Sequence, residues 1–294
     1  MTAVVTGGSS GIGEAVALRL ALRGCGLVLV SEDAAGLERV RGRILAEAAS
    51  PPRMAPPSQL APLRVEVIRL DLTDPKSPQV LFDRCRDLSL RVDILVNCAG
   101  IFSNVDDEMD GAGGTGHAGG SEGGAGGGPE GPAAQDRSEA LLRLHVNALT
   151  RLCLLFGRSM IRRGGGYILN VGSISALFPD PSSLTYGPSK RYVLSFSRLL
   201  HLHWREHGVK VTCVVPGAVA TDFFRANNIT LPAMVRSRLM TADHCARVAL
   251  RGLFRGRAMV VPGVWSRLHA WLFRLLLRPA LYTRLKNLYL SMRR

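Results

Sequence analysis

The alternation of short apolar runs with longer segments of helical period is the feature that most constrains how this chain folds. Runs rich in Val, Ile and Leu recur along most of its 294 residues. Such runs are typical of strands that helices cover on both faces, and the segments between them supply those helices. The pattern predicts an α/β fold: a doubly wound parallel sheet of about seven strands with helices on both faces.

The periodicity also places the individual elements. Strands are predicted near residues 2–6, 26–31, 64–70, 92–97, 166–172, 209–215 and 258–262. Helices are predicted over residues 11–23, 35–49, 76–89, 136–163, 184–206 and 241–255. Two segments interrupt this order, and we expect the proline-rich residues 50–62 to form an exposed loop. We expect the glycine-rich residues 110–132 to be a disordered insertion, because ordering so many glycines is entropically unfavourable.

The chain divides by composition into a catalytic domain, residues 1–263, and a basic amphipathic extension, residues 264–294. The extension mixes Trp, Leu and Phe with Arg, and its apolar run is too short and too charged to span a bilayer. It can lie on a membrane surface through residues 264–278. It can equally pack as a helix over the active site or against a partner subunit, and the sequence leaves both possibilities open.

The charge and the cysteines of the sequence limit which partners and which cellular compartment are to be expected. The net charge is +14, and much of the excess is Arg interleaved with apolar residues near the C-terminus, which favours a membrane surface over nucleic acid. The six cysteines have no paired spacing, so we expect free thiols and neither disulfides nor a metal site. The first apolar run begins at Ala3, ahead of which no export signal fits. We therefore expect a cytoplasmic protein, or one peripheral to a membrane.

A glycine-rich turn, T-G-G-S-S-G-I-G at residues 6–13, lies between the first predicted strand and the first predicted helix. Glycines at such a turn let the backbone approach a pyrophosphate, whose charge is stabilised by the free N–H groups of the helix N-terminus. A glycine-rich turn alone is weak evidence, but its strand–turn–helix context favours nucleotide binding. The residues expected to contact the cofactor here are Thr6, Gly7, Ser9, Ser10, Gly11, Ile12 and Gly13.

This turn resembles the T-G-x-x-x-G-x-G motif of the short-chain dehydrogenase/reductase family, and later segments repeat the resemblance in the family's order. The matching segments are L-D-L-T-D at residues 70–74, N-C-A-G at 97–100, Asn147, Ser173, Tyr186 with Lys190, and P-G-x-x-x-T at 216–221. The resemblance covers about residues 2–263. The resemblance implies a Rossmann-like fold and a nicotinamide cofactor. Besides the turn, it implies cofactor contacts from Ser31, Glu32, Asp71, Leu72, Asn97, Ala99, Gly100, Tyr186, Lys190, Pro216, Gly217, Val219 and Thr221.

The chemistry of the matched residues agrees with hydride transfer between nicotinamide and an alcohol or ketone. Tyr186 and Lys190 are four residues apart on one predicted helix, so their side chains can meet. An ammonium lowers the pKa of a neighbouring phenol from about 10, which makes Tyr186 a usable general acid or base. Ser173 can donate a hydrogen bond to the substrate carbonyl oxygen. By resemblance, Lys190 holds the nicotinamide ribose and Asn147 fixes a water that connects Lys190 to solvent.

Cofactor choice depends on the end of the second predicted strand, where Glu32 follows Ser31. A carboxylate at this place favours NAD because it accepts a hydrogen bond from the ribose 2′-hydroxyl, whereas NADP needs a cation for its 2′-phosphate. The sequence therefore favours NAD over NADP. Arg39 or Arg41, on the next helix, can reverse this preference if its side chain reaches back.

The segment between Thr221 and Met240 carries Phe223, Phe224, Leu231, Met234 and Leu239. These residues predict an apolar pocket for a hydrophobic alcohol or ketone, although they can also simply pack a lid. The family resemblance implies a homodimer or homotetramer formed through the helix that carries Tyr186. Two alternatives remain: a catalytically idle nucleotide-binding scaffold, and a peripheral membrane-binding protein of the same fold.

Overall fold

One parallel sheet organises the described part of the chain, which in this computed structural model comprises residues 1–49, 63–103, 108, 134–178, 183–227, 229, 236, 239–264 and 266–268. Its strands are β1 Thr2–Thr6, β2 Gly26–Ser31, β3 Val65–Arg69, β4 Val92–Asn97, β5 Gly166–Val171, β6 Val209–Val214 and β9 Met259–Val260. The sheet order is β3-β2-β1-β4-β5-β6-β9, and every neighbouring pair is parallel. The predicted doubly wound α/β fold is confirmed.

Helices cover both faces of this sheet, as the periodicity predicts. They are α1 Gly11–Ala21, α2 Ala34–Ala49, α3 Ser77–Asp87, α4 Ala134–Leu142, α5 Leu149–Arg162, α6 Tyr186–Trp204, α7 Phe223–Ala226 and α8 Ala242–Phe254. The predicted helix over 136–163 is divided, because a π-helical turn at Arg143–Ala148 separates α4 from α5. A small parallel pair, β7 Val219–Ala220 with β8 Met240–Thr241, was not predicted from the sequence.

The sheet separates two apolar layers. Alternate residues of β1 face opposite sides, so Val5 packs with α1, α2 and α8 whereas Val4 packs with α3, α5 and α6. Both side chains are fully buried. Because both faces are covered, the central strands read as continuous apolar runs rather than as an alternation of apolar and polar residues.

The sheet order reverses direction between β1 and β4, which are hydrogen-bonded neighbours although distant in the chain. At such a switch point the connections from the two strands leave on opposite faces, so a crevice opens beyond their carboxyl ends. This crevice holds the candidate site described below.

The helical stretch Arg137–Arg162 is long and apolar enough to cross a membrane by composition. Half of the most apolar 18-residue segment of this stretch is buried inside the protein. Phe156 of α5 packs edge-on against Phe82 of α3, with ring centroids 5.1 Å apart. These contacts are those of a helix that covers one face of the sheet. The predicted segments 50–62 and 110–132, and most of 264–294, lie outside the described residues, and the division at residue 263 stays a prediction.

Candidate active site

A cleft of about 810 Å³ opens at the carboxyl ends of β1, β4 and β5. Among the predicted site residues, those that line it are Gly7, Ser9, Ser10, Gly11, Ile12, Ser31, Glu32, Asp71, Leu72, Ala99, Gly100, Ser173, Tyr186, Lys190, Pro216, Gly217, Val219 and Thr221. Thr6 and Asn97 lie just beneath the cleft, on a second, smaller cavity. The fold thus brings together segments that are more than 200 residues apart in the chain.

The glycine turn lies directly against the end of β4. Gly7 has a φ of +65°, and a Cβ there would lie 2.8 Å from the backbone nitrogen of Ala99. Gly13 is packed more tightly, since its Cβ would lie 2.0 Å from the carbonyl oxygen of Gly7. Thr6 ties the two strand ends together because its Oγ1 accepts hydrogen bonds from the backbone N–H groups of Cys98 and Ala99. The glycines therefore let the turn pack closely against the end of β4, with its backbone beside the cleft.

The far end of the cleft holds Ser31 and Glu32, the residues from which the sequence predicts the cofactor preference. The hydroxyls of Ser9 and Ser31 are 3.1 Å apart. Glu32 and Asp33 also line this end, but Asp33 Oδ1 accepts a hydrogen bond from Gly36 N–H and so caps α2. Arg39 reaches back from α2, and its Nη2 donates to the carbonyl oxygen of Ser9 at 2.6 Å. Arg69 approaches from β3, and its Nε donates to the carbonyl oxygen of Glu32 at 3.3 Å. The region thus combines two carboxylates with two nearby guanidinium groups.

Two further motif residues are held by short local contacts. Asp71 Oδ1 accepts from both the backbone N–H and the hydroxyl of Thr73, each at 2.8 Å. On the other side of the turn, a Cβ on Gly11 would lie 3.0 Å from Cγ2 of Thr221. The P-G-x-x-x-T segment therefore closes against the glycine turn.

Ser173, Tyr186 and Lys190 lie on the wall of the cleft opposite the glycine turn. Ser173 follows β5 and caps a short 3₁₀ turn, where its Oγ accepts from Ser175 N–H at 3.2 Å. Tyr186 opens α6, and Lys190 lies one turn later with its Nζ 5.5 Å from the centre of the Tyr186 ring. The predicted juxtaposition of the phenol and the ammonium on one helical face is present.

Lys190 is almost fully buried, at 5% exposure. Its Nζ donates to the carbonyl oxygen of Val171 at 3.3 Å. Burial disfavours the charged form and lowers the pKa of Lys190 from 10.5 to about 8. The ammonium therefore predominates below about pH 8, and it is lost as the pH rises above that value.

Asn147 does not reach the cleft, which corrects the position expected from the family resemblance. Its side chain is exposed, and His145 is buried at 2% exposure on the inward side of the π turn. Residues two apart on a helix point in nearly opposite directions, so only one of this pair can face Lys190. A Cβ on Gly100 would lie 2.9 Å from His145 Nε2 and 3.5 Å from Lys190 Nζ, which shows how close the two side chains are.

His145 is a neutral, fully engaged group. Its Nε2 accepts from Ile101 N–H at 3.3 Å, which assigns the proton to Nδ1, and Nδ1 then donates to Ser189 Oγ at 3.0 Å. Ser189 Oγ in turn donates to the carbonyl oxygen of Tyr186 at 2.7 Å. Burial, followed by the charge of Lys190, holds the pKa of His145 well below its usual value. His145 therefore braces the backbone of Tyr186 without carrying charge.

Glu108 is a second residue that sequence reasoning missed. Its carboxylate accepts from Ser183 Oγ at 3.2 Å, from Leu184 N–H at 2.5 Å and from the Thr185 hydroxyl. It also accepts from Ser138 Oγ of α4 at 3.2 Å. Glu108 thus ties the turn that precedes Tyr186 to α4. It follows directly on residues 104–107, which are not described, and no local motif marks it.

A network of hydrogen bonds closes the substrate end of the cleft. Asn227 Oδ1 accepts from Phe102 N–H at 2.9 Å and from Arg137 Nη2 at 3.0 Å. Arg137 Nε donates to the carbonyl oxygen of Phe102 at 2.8 Å. The Phe102 ring lies 5.0 Å from that of Tyr186, and the Phe223 ring lies 6.3 Å from it. Aromatic surface therefore surrounds the phenol, while Leu231 and Met234 of the predicted pocket lie outside the described residues.

The cysteines are free, as expected, and five of the six are buried. Cys98 lines the cleft, but burial raises the pKa of its thiol to about 12, which keeps it protonated and unreactive. Within the described ranges, no group of three His, Cys, Asp or Glu side chains could hold a metal ion.

Comparison with known proteins identifies the family. A family model described as short chain dehydrogenase matches residues 1–231. The chain therefore belongs to the short-chain dehydrogenase family, a class of NAD(P)-dependent oxidoreductases that act on CH–OH and C=O groups. Curated relatives include the very-long-chain 3-oxoacyl-CoA reductase of Anas platyrhynchos, 28% identical over 222 residues. Another is the 17-beta-hydroxysteroid dehydrogenase type 3 of Homo sapiens, 25% identical over 281 residues.

The alignments cover different shares of these chains. The avian alignment spans 74% of this chain and 60% of its relative, and the human alignment spans 92% and 76%. A solved short-chain dehydrogenase from Sphingobium yanoikuyae in complex with NADPH has a TM-score of 0.69 and 28% identity, covering 95% of this chain and 97% of that one. The bulky-bulky ketone specific alcohol dehydrogenase of Comamonas testosteroni has a TM-score of 0.65 and 26% identity, covering 95% of each.

Proposed function

We propose that the protein transfers a hydride between a nicotinamide cofactor and a bulky, hydrophobic ketone or secondary alcohol, with Tyr186 as the general acid or base. The observation that carries this proposal is the meeting of Tyr186, Lys190 and Ser173 on one wall of a cleft whose other wall is the glycine turn. A protein that only bound nucleotide would need the turn but not these three side chains.

The roles follow from position and charge. The nicotinamide, when bound, supplies or accepts the hydride. Ser173 donates a hydrogen bond to the substrate oxygen, where negative charge grows during reduction, and Tyr186 gives its phenolic proton to that oxygen. The Lys190 ammonium, 5.5 Å from the centre of the Tyr186 ring, stabilises the phenolate that remains. Oxidation of an alcohol uses the same groups in reverse.

The aromatic wall supports a hydrophobic substrate. Phe102, Phe223 and Phe224 line the cleft beside Tyr186, together with Ile229. Burying an apolar group against such a wall contributes about 0.8 kcal/mol for each methylene. The names of the relatives also support this substrate class, since they include a reductase of very-long-chain acyl groups, a steroid dehydrogenase and a bulky-ketone dehydrogenase.

The test is nicotinamide oxidation at 340 nm with two ketones that differ by about four buried methylenes. We expect kcat/KM to be about 100-fold higher for the larger ketone, because the four methylenes contribute about 3 kcal/mol. Equal kcat/KM values for the two ketones would show that the aromatic wall does not bind substrate. Absence of turnover with either ketone, despite tight cofactor binding, would favour the idle-scaffold alternative.

NAD is the cofactor that we propose as preferred. Glu32 and Asp33 line the end of the cleft where the adenosine ribose would lie, and a 2′-phosphate there would meet two carboxylates. Arg39 and Arg69 are the competing influences, because they bond to the backbone oxygens of Ser9 and Glu32, although neither belongs to the lining. We expect NADH to bind about tenfold more tightly than NADPH, which corresponds to about 1.4 kcal/mol.

Fluorescence titration with NADH and NADPH measures this preference. Glu32→Arg should reverse it, whereas Glu38→Arg, an equal change of charge on the exposed side of α2, should leave it unchanged. Tighter binding of NADPH by the unaltered protein, abolished by Arg39→Gln, would instead assign the 2′-phosphate to Arg39.

Two expectations about assembly and location belong to the same proposal. Leu199 and Leu202 of α6 are each more than half exposed, which supports a homodimer or homotetramer formed through this helix. Membrane-surface contact through residues 264–278 stays a prediction, since most of that segment lies outside the described residues. If it occurs, the full chain should sediment with anionic liposomes, and Trp271→Asp should reduce the bound fraction severalfold.

A further inference from the structure

A small cavity lies beside Lys190, just beneath the cofactor cleft. The space that the centre of a water molecule could occupy in this cavity is about 10 Å³, which is enough for one water molecule. Four polar side chains line it, from four separate elements: Thr6, Asn97, His145 and Lys190. All four are at most 5% exposed, so the hydrogen bonds of each can be accounted for one by one.

Two of the four side chains, those of Thr6 and His145, already use all of their hydrogen-bonding groups. Thr6 Oγ1 donates to the carbonyl oxygen of Val96 and accepts from two backbone N–H groups. His145 uses one ring nitrogen to accept from Ile101 and the other to donate to Ser189. Neither group can therefore serve a further partner in the cavity.

Asn97, by contrast, has one acceptor atom without a partner among the described residues. A chain of hydrogen bonds identifies this atom as Oδ1. Ser197 Oγ donates to the carbonyl oxygen of Val193 at 2.6 Å, so it must accept from Asn170 Nδ2 at 2.9 Å. Asn170 Oδ1 then accepts from Asn97 Nδ2 at 2.8 Å. This order excludes the flipped amide of Asn97 and leaves its Oδ1 buried, with no partner among the described residues.

Lys190 has N–H donors that no described acceptor uses. Its ammonium carries three N–H groups, and among the described residues its one hydrogen-bond acceptor is the carbonyl oxygen of Val171, at 3.3 Å. Lys190 lines both the cofactor cleft and the small cavity. One donor can thus face the cleft while another faces the small cavity, which Asn97 also lines.

We infer that this cavity binds one water molecule, which accepts a hydrogen bond from Lys190 Nζ and donates one to Asn97 Oδ1. Asn97 is then a positioning residue that supports the catalytic ammonium through this water. The inference deepens the proposed function by assigning to Asn97, at the end of β4, the water-holding role that the family resemblance implied for Asn147. Burying either group without such a partner would be unfavourable by more than the ordering of one water.

The surroundings make Asn97 the group that decides how well the ammonium is stabilised. The titratable groups near Lys190 are Cys98, Cys213, His145 and Tyr186. Burial raises the pKa of Cys98 and of Cys213 to about 12 and lowers that of His145, so these three are uncharged between pH 7 and 9. No described carboxylate lines the small cavity. Besides the carbonyl oxygen of Val171, a water fixed by Asn97 is therefore the group that favours Lys190 in its charged form.

The test follows the titration of Lys190 by NMR in the full chain labelled with [ε-¹³C]lysine. The sequence contains four lysines, Lys76, Lys190, Lys210 and Lys286, and a Lys190→Arg spectrum identifies the resonance. Asn97→Leu removes the acceptor, and we expect the pKa of Lys190 to fall by about one pH unit. Asn97→Asp places a carboxylate there, and we expect a rise of similar size.

Asn170→Leu is the matched control, because it breaks the same amide network but leaves Asn97 in place. We expect it to move the pKa of Lys190 by less than half as much as Asn97→Leu does. Equal shifts in Asn97→Leu and Asn170→Leu, or shifts of one sign in Asn97→Leu and Asn97→Asp, would overturn the inference. Should Asn97→Leu not fold, the comparison of Asn97→Asp with Asn170→Leu still decides the matter.

This readout does not depend on turnover. A protein that reduces no ketone yet shows opposite shifts in the two Asn97 variants would refute the proposed reaction and support the water site. A protein that reduces ketones, but in which the pKa of Lys190 is unchanged in all variants, would support the proposed reaction and refute the water site.

Discussion

Replacing Tyr186 by Phe is expected to lower kcat for ketone reduction by about 10³-fold or more while leaving cofactor affinity within about twofold. The substitution removes the phenolic proton and keeps the ring, which packs 5.0 Å from Phe102 and 5.7 Å from His145. The fold around the start of α6 should therefore persist. Steady-state kinetics and fluorescence titration with the cofactor separate the two effects.

Tyr192→Phe is the matched control for this variant. Tyr192 lies on the same helix, and its hydroxyl is 2.7 Å from Thr150 Oγ1, on the side away from the cleft. Its loss should change kcat by less than about threefold, since a hydroxyl-to-hydroxyl hydrogen bond contributes about 1 kcal/mol to stability and none of it to the reaction. A Tyr186→Phe protein with more than a tenth of normal activity would show that another group delivers the proton.

Replacing Gly13 by Ala should abolish cofactor binding and destabilise the fold. The added Cβ would lie 2.0 Å from the carbonyl oxygen of Gly7 and 2.8 Å from its carbonyl carbon, both backbone atoms. These atoms cannot yield without moving the turn that faces the pyrophosphate. We expect cofactor affinity to fall by at least about 100-fold and the free energy of unfolding to fall by about 1–3 kcal/mol.

Gly42→Ala provides the control for Gly13→Ala. A Cβ on Gly42 meets nothing within 4 Å, and the residue lies in the middle of α2. In a helix interior alanine is favoured over glycine by about 1 kcal/mol, so this variant should be more stable, with normal cofactor affinity. Urea unfolding and cofactor titration measure both properties. Near-normal cofactor binding by Gly13→Ala would mean that the turn relaxes easily and that its tight packing is not required.

Local patterns in the sequence were sufficient to predict most of the fold. The central strands are short apolar runs and the longer helices have a helical period, and both patterns are visible within a single segment. The predicted strands 2–6, 26–31 and 92–97 have the bounds found in the structure. The order of these elements and the right-handed rule for parallel connections then limit the topology to a doubly wound sheet. The confirmed family and fold were therefore accessible before any contact was known.

Signals were weaker where an element is short or irregular. The pair β7–β8 has two residues in each strand, too few for a period of two to be recognised. The π turn at Arg143–Ala148 shifts the helical phase by one residue within a continuous helical pattern. The sequence order of motifs placed Asn147 at the site, whereas this turn directs His145 inward and leaves Asn147 exposed.

What the sequence by itself determined is the succession of strands and helices, the glycine turn and the spacing of Tyr186 and Lys190, because each is a relation among residues close in the chain. The tertiary structure alone decided which distant groups meet. Glu108 reaches the turn before Tyr186, and Asn97 lines the same small cavity as Lys190. Such encounters depend on burial and on the completion of hydrogen bonds across the sheet, and no local pattern records either.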